Sequence, residues 1–572
     1  MRIDSLNASH THYPDFANPE LLEKIPLSAR TILDVGCAHG ALGADYLRRN
    51  PVCRVLGIEM DKEAASHAQA RLSEVFVGDV EKTQMPFEVP DGIDCIIYGD
   101  VLEHLTDPWA VLKEHAKYLS PHGTVLVCMP NIEHWSFVAR VLTGNFDYDE
   151  QGLFDRTHLR WFTPRTMARA LTDAGLELSD AAPRPIALGP AEKFTAAMAP
   201  ALETLGVDPK EYLNRCAPLQ VIWRARKVVQ QRLEVNATML APQGGVSDVR
   251  VVEPLRALRT DSALLTSIIA EQDLRPRLAE APRIAILHRP LLVGEAGLAR
   301  VRALLKQDYV VVSEFDDHPM FMEERGVKME DLLTFRGVHA VQTSTPTLAE
   351  ALLRENAELA VFPNAVFELP RVRNFQDTEH LTMFFGALNR QKDWAPLMPV
   401  LNEVARAVGD RLRFRVVFDE AFFNALETPH KSFEPELVDY ASYLNELSAA
   451  DISFMPLGDT PFNRAKSDLK FIEAGAARVC ALASHVVYEG SIQDGTTGVL
   501  FRSPAELRAT LLRLLAYPEA TRRIADAARA YVAQNRMMAY QVQARSDWYR
   551  ALWERRAELN EALKQRVPEL FA

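Results

Sequence analysis

The sequence predicts an α/β protein built from parallel, doubly wound sheets in more than one domain. Short apolar runs alternate with helical stretches along most of the 572 residues. Strands separated by helices pair in parallel and carry the helices on both faces of the sheet. A chain of this length, at about 100–200 residues per domain, is expected to hold about three to five units.

Composition limits the class of protein. Hydrophobic residues make up 48% and charged residues 25% of the chain, the balance of an ordinary globular protein. Acidic residues outnumber basic ones, 77 to 64, for a net charge of −13, which argues against a nucleic-acid partner. The six cysteines are scattered without a C-x-x-C pair, so we expect reduced cysteines in the core.

The sequence pattern predicts neither a signal peptide nor a transmembrane helix. The first residues, MRIDSLNASHTHYPDF, lack the apolar stretch of a signal peptide. No run of about 18 or more apolar residues predicts a transmembrane helix. We therefore expect a cytoplasmic protein, and we leave peripheral membrane contact and the oligomeric state open.

The first αβ series runs from about Ala29 to Leu176. Its predicted strands are TILDVG, RVLGIE, EVFVGD, DCIIYGD and TVLVCMP. The stretch from Pro183 to about Lys227 reads as helical and ends in LQVIWRARK, which we interpret as the last strand of this domain. The first domain is predicted to cover residues 1–232.

A second αβ series follows. Its predicted strands are VNATMLAP, RIAILH, YVVVSEFDD, HAVQTS, AVFPN, TMFFGAL, FRVVFD, ISFMPL and VCALAS. The series is long enough for two similar lobes, with a break near Pro363–Asn364 or Pro370. We predict lobes at 233–365 and 366–535, and a helical tail at 536–572.

A glycine turn after the first strand predicts a ligand site. Asp34 lies in this strand, and Gly36 and Gly40 lie in the turn into the next helix. Their spacing differs from the G-x-G-x-x-G turn that holds a pyrophosphate. S-adenosylmethionine has no phosphate but carries an ammonium and a sulfonium, which an acid beside the turn would attract.

Further acids end the next strands. Glu59 ends the second strand and is placed to accept the hydroxyls of a ribose, and Asp79 ends the third and is placed to accept from an adenine amino group. Asp100 ends the fourth strand. Because the carboxyl ends of parallel strands share one edge of the sheet, we expect all these acids along one crevice.

The motifs DVGCAHG, GIE, GDV and DCIIYGDVLEHLTDP resemble those of class I S-adenosylmethionine-dependent methyltransferases, over about residues 25–180. The chain departs from many members at Ala38, where they have glycine. The resemblance implies S-adenosylmethionine as cofactor and methyl transfer to an acceptor. An oxygen nucleophile needs a general base, for which His104 and His158 are the candidates. Glu103 and His104 give only a weak metal signal, and we predict no metal.

The second series resembles the retaining GT-B glycosyltransferases of the family-four type, over about residues 235–535. Gly245, after the first strand of the series, suits close approach of an acceptor or phosphate. The resemblance implies that the diphosphate of a nucleotide sugar meets Arg390, Lys392 and Lys466, and that Glu473 accepts ribose hydroxyls. The chain departs from the family at Ala465, eight positions before Glu473, where a glutamate is common.

Three functions fit these patterns. The leading one is a bifunctional enzyme of glycan assembly that methylates a sugar or related hydroxyl and transfers a sugar to a glycan, lipid-linked or protein acceptor. In the second, the glycosyltransferase-like half is a non-catalytic scaffold that binds a nucleotide or glycan. In the third, the methyltransferase acts on a small aromatic or quinone-like molecule. The sequence does not decide between UDP, GDP and dTDP donors.

Overall fold

The computed structural model describes residues 15–185, 188–228, 230–239, 245–270, 273–323, 326–328, 331–372, 379–437 and 439–572. Two compact units divide the chain near Gln231–Arg232. The first unit also includes Arg259–Ala263, where the hydroxyl of Thr260 accepts a hydrogen bond from the backbone N–H of Leu27 at 2.9 Å. Within the described residues, no helix is both long and apolar enough to cross a bilayer.

The first unit contains one seven-stranded sheet in the order β3-β2-β1-β4-β5-β7-β6. Strands β1 to β5 are parallel, and β7 runs antiparallel to both β5 and β6. The strands are β1 Thr31–Val35, β2 Arg54–Glu59, β3 Glu74–Val77, β4 Ile93–Gly99, β5 Leu119–Pro130, β6 Glu177–Pro185 and β7 Pro218–Arg226. The helices are α1 Pro19–Leu22, α2 Ala41–Leu47, α3 Lys62–Gln69, α4 Pro108–His115, α5 Trp135–Leu142, α6 Pro164–Asp173, α7 Leu188–Thr204 and α8 Pro209–Cys216.

Both faces of this sheet are buried, which explains why its strands read as continuous apolar runs. Leu33 and Ile96 belong to the core on one face, and the neighbouring Ile32 and Ile97 belong to the core on the other. The prediction of a helix from Pro183 was wrong at its start, because β6 extends to Pro185. This strand pairs with the predicted strand β7, a long-range pairing that local pattern does not reveal.

The second unit contains two six-stranded sheets, both parallel throughout. The first has the order β13-β12-β11-β10-β8-β9 and the second the order β16-β15-β14-β17-β18-β19. The first sheet has β8 Leu233–Met239, β9 Leu264–Ile268, β10 Arg283–His288, β11 Val310–Glu314, β12 Ala340–Thr343 and β13 Leu359–Val361. The second has β14 Leu381–Gly386, β15 Leu412–Val417, β16 Lys431–Glu434, β17 Ile452–Met455, β18 Cys480–Ser484 and β19 Val499–Phe501.

Helices cover these two sheets. Those of the first lobe are α9 Glu253–Arg259, α10 Gly294–Leu305, α11 Met320–Glu323 and α12 Pro346–Leu352. Those of the second lobe are α13 Gln391–Trp394, α14 Met398–Val408, α15 Glu420–Ala425, α16 Tyr440–Ser448, α17 Pro461–Arg464, α18 Leu469–Ala476, α19 Pro504–Ala516 and α20 Pro518–Asn535. The chain ends with α21 Val542–Glu554 and α22 Arg556–Arg566.

The predicted α/β fold class is confirmed: one Rossmann-like sheet precedes two further Rossmann-like lobes in the second unit. All predicted strands of the second series exist, whereas β9, β16 and β19 were not predicted. The C-terminal helices return to the first lobe, where Leu563 and Val567 pack in the same core as Val311. The boundaries of the three predicted domains and the tail stay predictions.

Candidate functional sites

The first candidate site lies at the carboxyl ends of β1 and β4. From β1 the chain adds β2 and β3 on one side of the sheet, and then places β4 on the other side. Ligands of doubly wound sheets bind at such a reversal of strand order. We call this site the first crevice and define it by Asp34, Gly36 and Asp100.

The turn after β1 depends on its glycines. Gly36 and Gly40 have φ angles of +68° and +76°, in the left-handed region that favours glycine. A Cβ on Gly36 would lie 2.5 Å from Cγ2 of Val101. Ala38 also has a positive φ, +46°, a conformation that glycine, the residue common here in the resembled family, adopts with less strain.

Asp34 provides a buried acid at the crevice. Its residue is 4% exposed, and burial, followed by the nearby Glu59 carboxylate, raises the pKa of Asp34 to about 7. The described residues donate no hydrogen bond to this carboxylate. A cation at this position would therefore be stabilised by the ionised form of Asp34.

Glu59 stabilises the turn itself. Its Oε2 accepts from the N–H of Ala38 at 2.8 Å, and its Oε1 accepts from the N–H groups of Met60 and Asp61 at 2.9 Å. The carboxylate thus links the end of β2 to the turn after β1. The predicted contact with a ribose stays a prediction.

Asp79 and Asp100 are the other two acids predicted at the carboxyl ends of the strands of the first sheet. Burial opposes ionisation of Asp79, but hydrogen bonds from Lys82 and from the N–H of Glu81 hold its pKa below the usual value. Asp100 has a φ of +57°, and its Oδ1 accepts from Nε2 of Gln220 at 2.7 Å. Gln220 lies on β7, 120 residues away, so no local sequence pattern reveals this contact.

The two predicted base candidates lie together. The rings of His104 and His158 have centroids 4.9 Å apart and meet edge to face. Oγ1 of Thr157 donates to Oδ1 of Asp155 at 2.6 Å and lies 3.0 Å from Nδ1 of His104. Because the single hydroxyl proton goes to Asp155, Nδ1 of His104 must be the donor to Thr157, which leaves Nε2 as the proton acceptor.

His158 has the same tautomer. Its Nδ1 lies 3.3 Å from the carbonyl oxygen of Leu153, so Nδ1 carries the proton and Nε2 is basic. Burial lowers the pKa of His158, although Asp155 opposes the shift. His158 is therefore neutral at physiological pH and can accept a proton.

Glu103 lies beside this histidine pair. It is 2% exposed, and both carboxylate oxygens lack a hydrogen-bond partner among the described residues. Burial, and then Asp100, raises the pKa of Glu103 well above the usual value. Glu103, His104 and His158 offer ligand atoms within 4.8 Å of one another, a spacing that a divalent cation can bridge. The predicted lack of a metal stays a prediction.

The second candidate site lies at the carboxyl ends of β14 and β17. The strand order reverses there too, because β15 and β16 lie on one side of β14 and β17 to β19 on the other. We call this site the second crevice and define it by Gly386, Arg390 and Glu473. Glu473 is 5% exposed and lies on α18.

The basic residues after β14 differ in their surroundings. Nη1 of Arg390 donates to Oδ1 of Asn463 at 3.0 Å and lies 3.3 Å from Oδ2 of Asp393. Lys392 is exposed on the short helix α13. The structure therefore holds the Arg390 guanidinium in place, whereas Lys392 extends into solvent.

The lysines of the second crevice are paired within the protein. Nζ of Lys466 donates to Oδ1 of Asp317, in the first lobe, at 2.7 Å. Nζ of Lys470 donates to the carbonyl oxygen of Gly386 at 2.5 Å. Burial lowers the pKa of both lysines, and the nearby acids oppose the shift. The contact between Lys466 and Asp317 was not predicted.

Glu473 also has a protein partner that sequence reasoning missed. The hydroxyl of Tyr440, on α16, donates to Oε1 of Glu473 at 2.6 Å. Gly245 lies next to the same ring: a Cβ built on it would be 3.5 Å from Cδ2 of Tyr440. Gly245 has a φ of +77°, as expected for its predicted turn. Its neighbour Gly244 lies outside the described residues.

The acids that end β11 are paired with cations. Glu314 is fully buried and forms two hydrogen bonds with the guanidinium of Arg250, at 2.8 and 3.1 Å. Asp316 accepts from Nε of Arg289 at 2.6 Å. These two acids stabilise the first lobe, and Asp317 is the one that reaches the second crevice.

Comparison with known proteins identifies the first unit. A family described as a methyltransferase domain matches residues 11–180. The ubiquinone biosynthesis O-methyltransferase of Pseudomonas paraeruginosa is 30% identical over 166 residues, which cover 28% of this chain and 69% of the relative. The enzyme of the same name from Aeromonas salmonicida is 27% identical over 158 residues, with 27% and 66% covered. The chain thus spans about two thirds of the length of these relatives.

Solved structures cover a larger share of the chain, at a lower sequence identity. Anabaena HepE in complex with UDP and glucose is 13% identical, with 56% of this chain and 100% of that chain covered, at a TM-score of 0.41. The two parallel sheets of the second unit are themselves the evidence for its pair of Rossmann-like lobes. The acidic crevice and the match over residues 11–180 agree, and this chain belongs, through its first unit, to the methyltransferase-domain family.

Proposed function

We propose that the chain is a bifunctional enzyme of glycan assembly with two donor sites. The first unit transfers a methyl group from S-adenosylmethionine to the oxygen of a sugar or related hydroxyl. The second unit transfers a sugar from a nucleotide donor to a glycan, lipid-linked or protein acceptor. The observation that carries the first activity is the pairing of His104 with His158, whose hydrogen bonds leave Nε2 of each ring as the basic nitrogen.

The histidine pair supplies the base for methyl transfer. S-adenosylmethionine, bound along Asp34, Glu59, Asp79 and Asp100, supplies an electrophilic methyl group on a sulfonium. Nε2 of one histidine accepts the proton of the acceptor hydroxyl as the new O–C bond forms and the S–C bond breaks. The S–C electron pair stays on sulfur, so S-adenosylhomocysteine leaves as a neutral thioether.

Thr157 and Asp155 keep His104 ready for this step. The chain of contacts from Asp155 through Thr157 to Nδ1 fixes the tautomer, and the Asp155 carboxylate favours the imidazolium that forms. Alignment of the hydroxyl, the methyl and the sulfur is the main contribution expected from the rest of the crevice.

The proposed sugar transfer uses the second crevice. Arg390 and Lys466, with Lys392 from solvent, would meet the diphosphate of the donor, and charge-assisted bonds would stabilise the departing nucleotide. Glu473 would accept a ribose hydroxyl. The strand reversal between β14 and β17 supports this location. Reduced cysteines, all six of which are buried and free, support the proposed cytoplasmic location.

One observation favours the scaffold alternative. Lys466 and Glu473 already have partners, Asp317 and Tyr440, and Ala465 stands where an acid is common in the resembled family. A second unit that binds a nucleotide or glycan without turnover is consistent with these pairs. The relatives named as ubiquinone biosynthesis O-methyltransferases favour, for the first unit, an aromatic hydroxyl as the alternative acceptor.

Turnover assays test the proposal. The purified chain would be incubated with S-adenosylmethionine and either sugar or catechol-type acceptors, and release of S-adenosylhomocysteine would be measured. Separate reactions would measure release of nucleoside diphosphate from UDP-, GDP- and dTDP-sugars. Methylation of a sugar together with nucleotide release supports the bifunctional enzyme. Methylation of catechols alone, without nucleotide release, contradicts it and favours the alternatives.

A further inference from the structure

Lys466 lies between an acid of the first lobe and a cation of its own lobe. Its Nζ donates to Oδ1 of Asp317 at 2.7 Å. Burial, and the charge of the nearby Arg390, lower the pKa of Lys466, while Asp317 opposes the shift. A phosphate bound by both Lys466 and Arg390 would relieve the repulsion between these two cations, but it has to draw Lys466 away from Asp317. The affinity for a diphosphate therefore depends on what Asp317 contacts once Lys466 has left.

Asp317 belongs to a cluster of four charges that is balanced only while Lys466 stays. The cluster contains Asp316 and Asp317 after β11, Arg289 after β10 and Lys466 from the second lobe. Their side chains are only 8 to 21% exposed, so solvent ions screen these charges in part only. Departure of Lys466 would leave two carboxylates for one guanidinium, and a buried charge without a partner costs free energy.

Arg289 is placed to become the partner of Asp317 at that point. Its Nε donates to Oδ1 of Asp316 at 2.6 Å, and its Nη2 lies 3.9 Å from Oδ2 of Asp317. Lys466 and the N–H of His318 both donate to Oδ1 of Asp317, and no described residue donates to Oδ2. An approach of about 1 Å would bring Nη2 to hydrogen-bond distance of Oδ2. A guanidinium has five N–H donors and can serve two carboxylates at once.

The backbone holds Arg289 beside these acids. Its N–H donates to the carbonyl oxygen of Glu314 at 2.8 Å, which links the end of β10 to the strand that leads to the two aspartates. Its φ is +45°, a left-handed conformation that a residue with a Cβ rarely adopts. Such strain persists where the surrounding structure holds it, and it is frequent at functional sites.

We propose that Arg289 is a positioning residue for the donor, and that it takes over Asp317 when a diphosphate draws Lys466 away. Nη2 of Arg289 then binds Oδ2 of Asp317 while Nε stays on Asp316. Both acids keep a cationic partner, so Lys466 is released to the phosphate at a lower cost. This inference rests on the proposed nucleotide-sugar function, with a nucleoside diphosphate as the ligand.

A double-mutant cycle on nucleotide affinity tests this role. The full chain would be titrated calorimetrically with UDP, GDP and dTDP, and the variants with the nucleotide that binds most tightly. Arg289→Gln should weaken binding about three- to tenfold, because Asp317 then keeps Lys466. In the Asp317→Asn background the same change should alter affinity less than about twofold, because the acid that Arg289 takes over is gone.

Two further variants separate this role from a general loss of charge or of structure. Arg464→Gln removes an arginine that pairs with the exposed Asp459, and it should leave affinity unchanged. Arg289→Lys keeps the charge but offers one nitrogen in place of three. It should show a smaller loss with the same dependence on Asp317, and it decides the question if Arg289→Gln does not fold.

The outcomes distinguish the inference from the proposed function. Equal weakening by Arg289→Gln in the wild-type and Asp317→Asn backgrounds would overturn the inference, since Arg289 would then act without Asp317, but the nucleotide site would stand. Unchanged or tighter binding in Arg289→Gln would overturn it as well. Binding of no nucleotide by the folded wild-type chain would overturn both the inference and the proposed sugar transfer.

Discussion

The two crevices have the same position in their sheets but differ in how their charged side chains are paired. Each lies where strand order reverses, between β1 and β4 in the first unit and between β14 and β17 in the second. In the first, Asp34 receives no hydrogen bond from a described residue, and its pKa is raised to about 7. In the second, Lys466 and Glu473 are paired with Asp317 and Tyr440.

This difference in pairing predicts how each crevice responds to its ligand. A cationic donor in the first crevice adds an opposite charge beside Asp34, whose pKa burial raises to about 7, so binding and ionisation should be coupled. An anionic donor in the second crevice has to compete with Asp317 for Lys466. Binding should therefore break this ion pair and replace Asp317 with a phosphate of the donor. The following predictions test this contrast, from the largest expected effect to the smallest.

The histidine pair should produce the largest effect. His104→Ala and His158→Ala should each lower kcat for methylation by about 100- to 10,000-fold if that histidine is the base, because the acceptor hydroxyl then keeps its proton. Affinity for S-adenosylhomocysteine, measured by calorimetry, should change little. If both variants retain the wild-type kcat, the pair does not supply the base.

The turn after β1 should be sensitive to one methyl group. Gly36→Ala forces a left-handed backbone that costs about 1–2 kcal/mol and places a Cβ 2.5 Å from Val101. We expect roughly tenfold weaker binding of S-adenosylhomocysteine and a lower Tm. Gly144→Ala is the matched control: its φ is +73°, and nothing lies within 4 Å of the added Cβ. The control should bind normally, and equal loss of binding in both variants would contradict the role of the turn.

Binding at the first crevice should depend on pH. Because the pKa of Asp34 is about 7, affinity for S-adenosylhomocysteine should rise about tenfold between about pH 6 and about pH 8, as the acid ionises. The unliganded protein should lose stability over the window from about pH 4 to 7, because the folded state holds this proton more tightly than the unfolded state. Calorimetry in buffers of different ionisation enthalpy should detect proton release on binding near pH 6, and Asp34→Asn should not show it.

The pair between the lobes should give the smallest effect. Asp317→Asn removes the negative charge that competes for Lys466, so affinity for nucleoside diphosphates should rise about threefold, a modest gain because the amide oxygen of Asn can still accept a hydrogen bond from Lys466. Asp459→Asn, which breaks an exposed pair with Arg464, is the control and should leave affinity unchanged. Weaker binding in Asp317→Asn would mean that Asp317 positions Lys466 for the phosphate instead.

Much of the fold could be predicted from the sequence because buried parallel strands are continuous apolar runs. TILDVG and TMFFGAL are such runs, and both form central strands. Strands β6 and β16 were missed because they carry polar residues and lie at the edges of their sheets. Such strands form through pairing with a distant neighbour, which local periodicity does not record.

The residues of the candidate sites could be predicted where they follow strand ends. His104 and His158 were both named, and the structure brings their rings together. The tautomer of His104 depends on Thr157 and Asp155, and that of His158 depends on the carbonyl oxygen of Leu153, contacts that the sequence pattern does not reveal. Tyr440 precedes Glu473 by 33 positions, so only the packing of α16 against α18 reveals that the two residues meet.

Calorimetric titration with S-adenosylhomocysteine and with UDP, GDP and dTDP tests the central claim of two independent donor sites most directly. The wild-type chain, Asp34→Ala and Glu473→Ala would be compared. We predict that the wild type binds S-adenosylhomocysteine and at least one nucleotide, and that each variant loses only its own ligand. Loss of both ligands in one folded variant, or no nucleotide binding by the wild type, would contradict the claim.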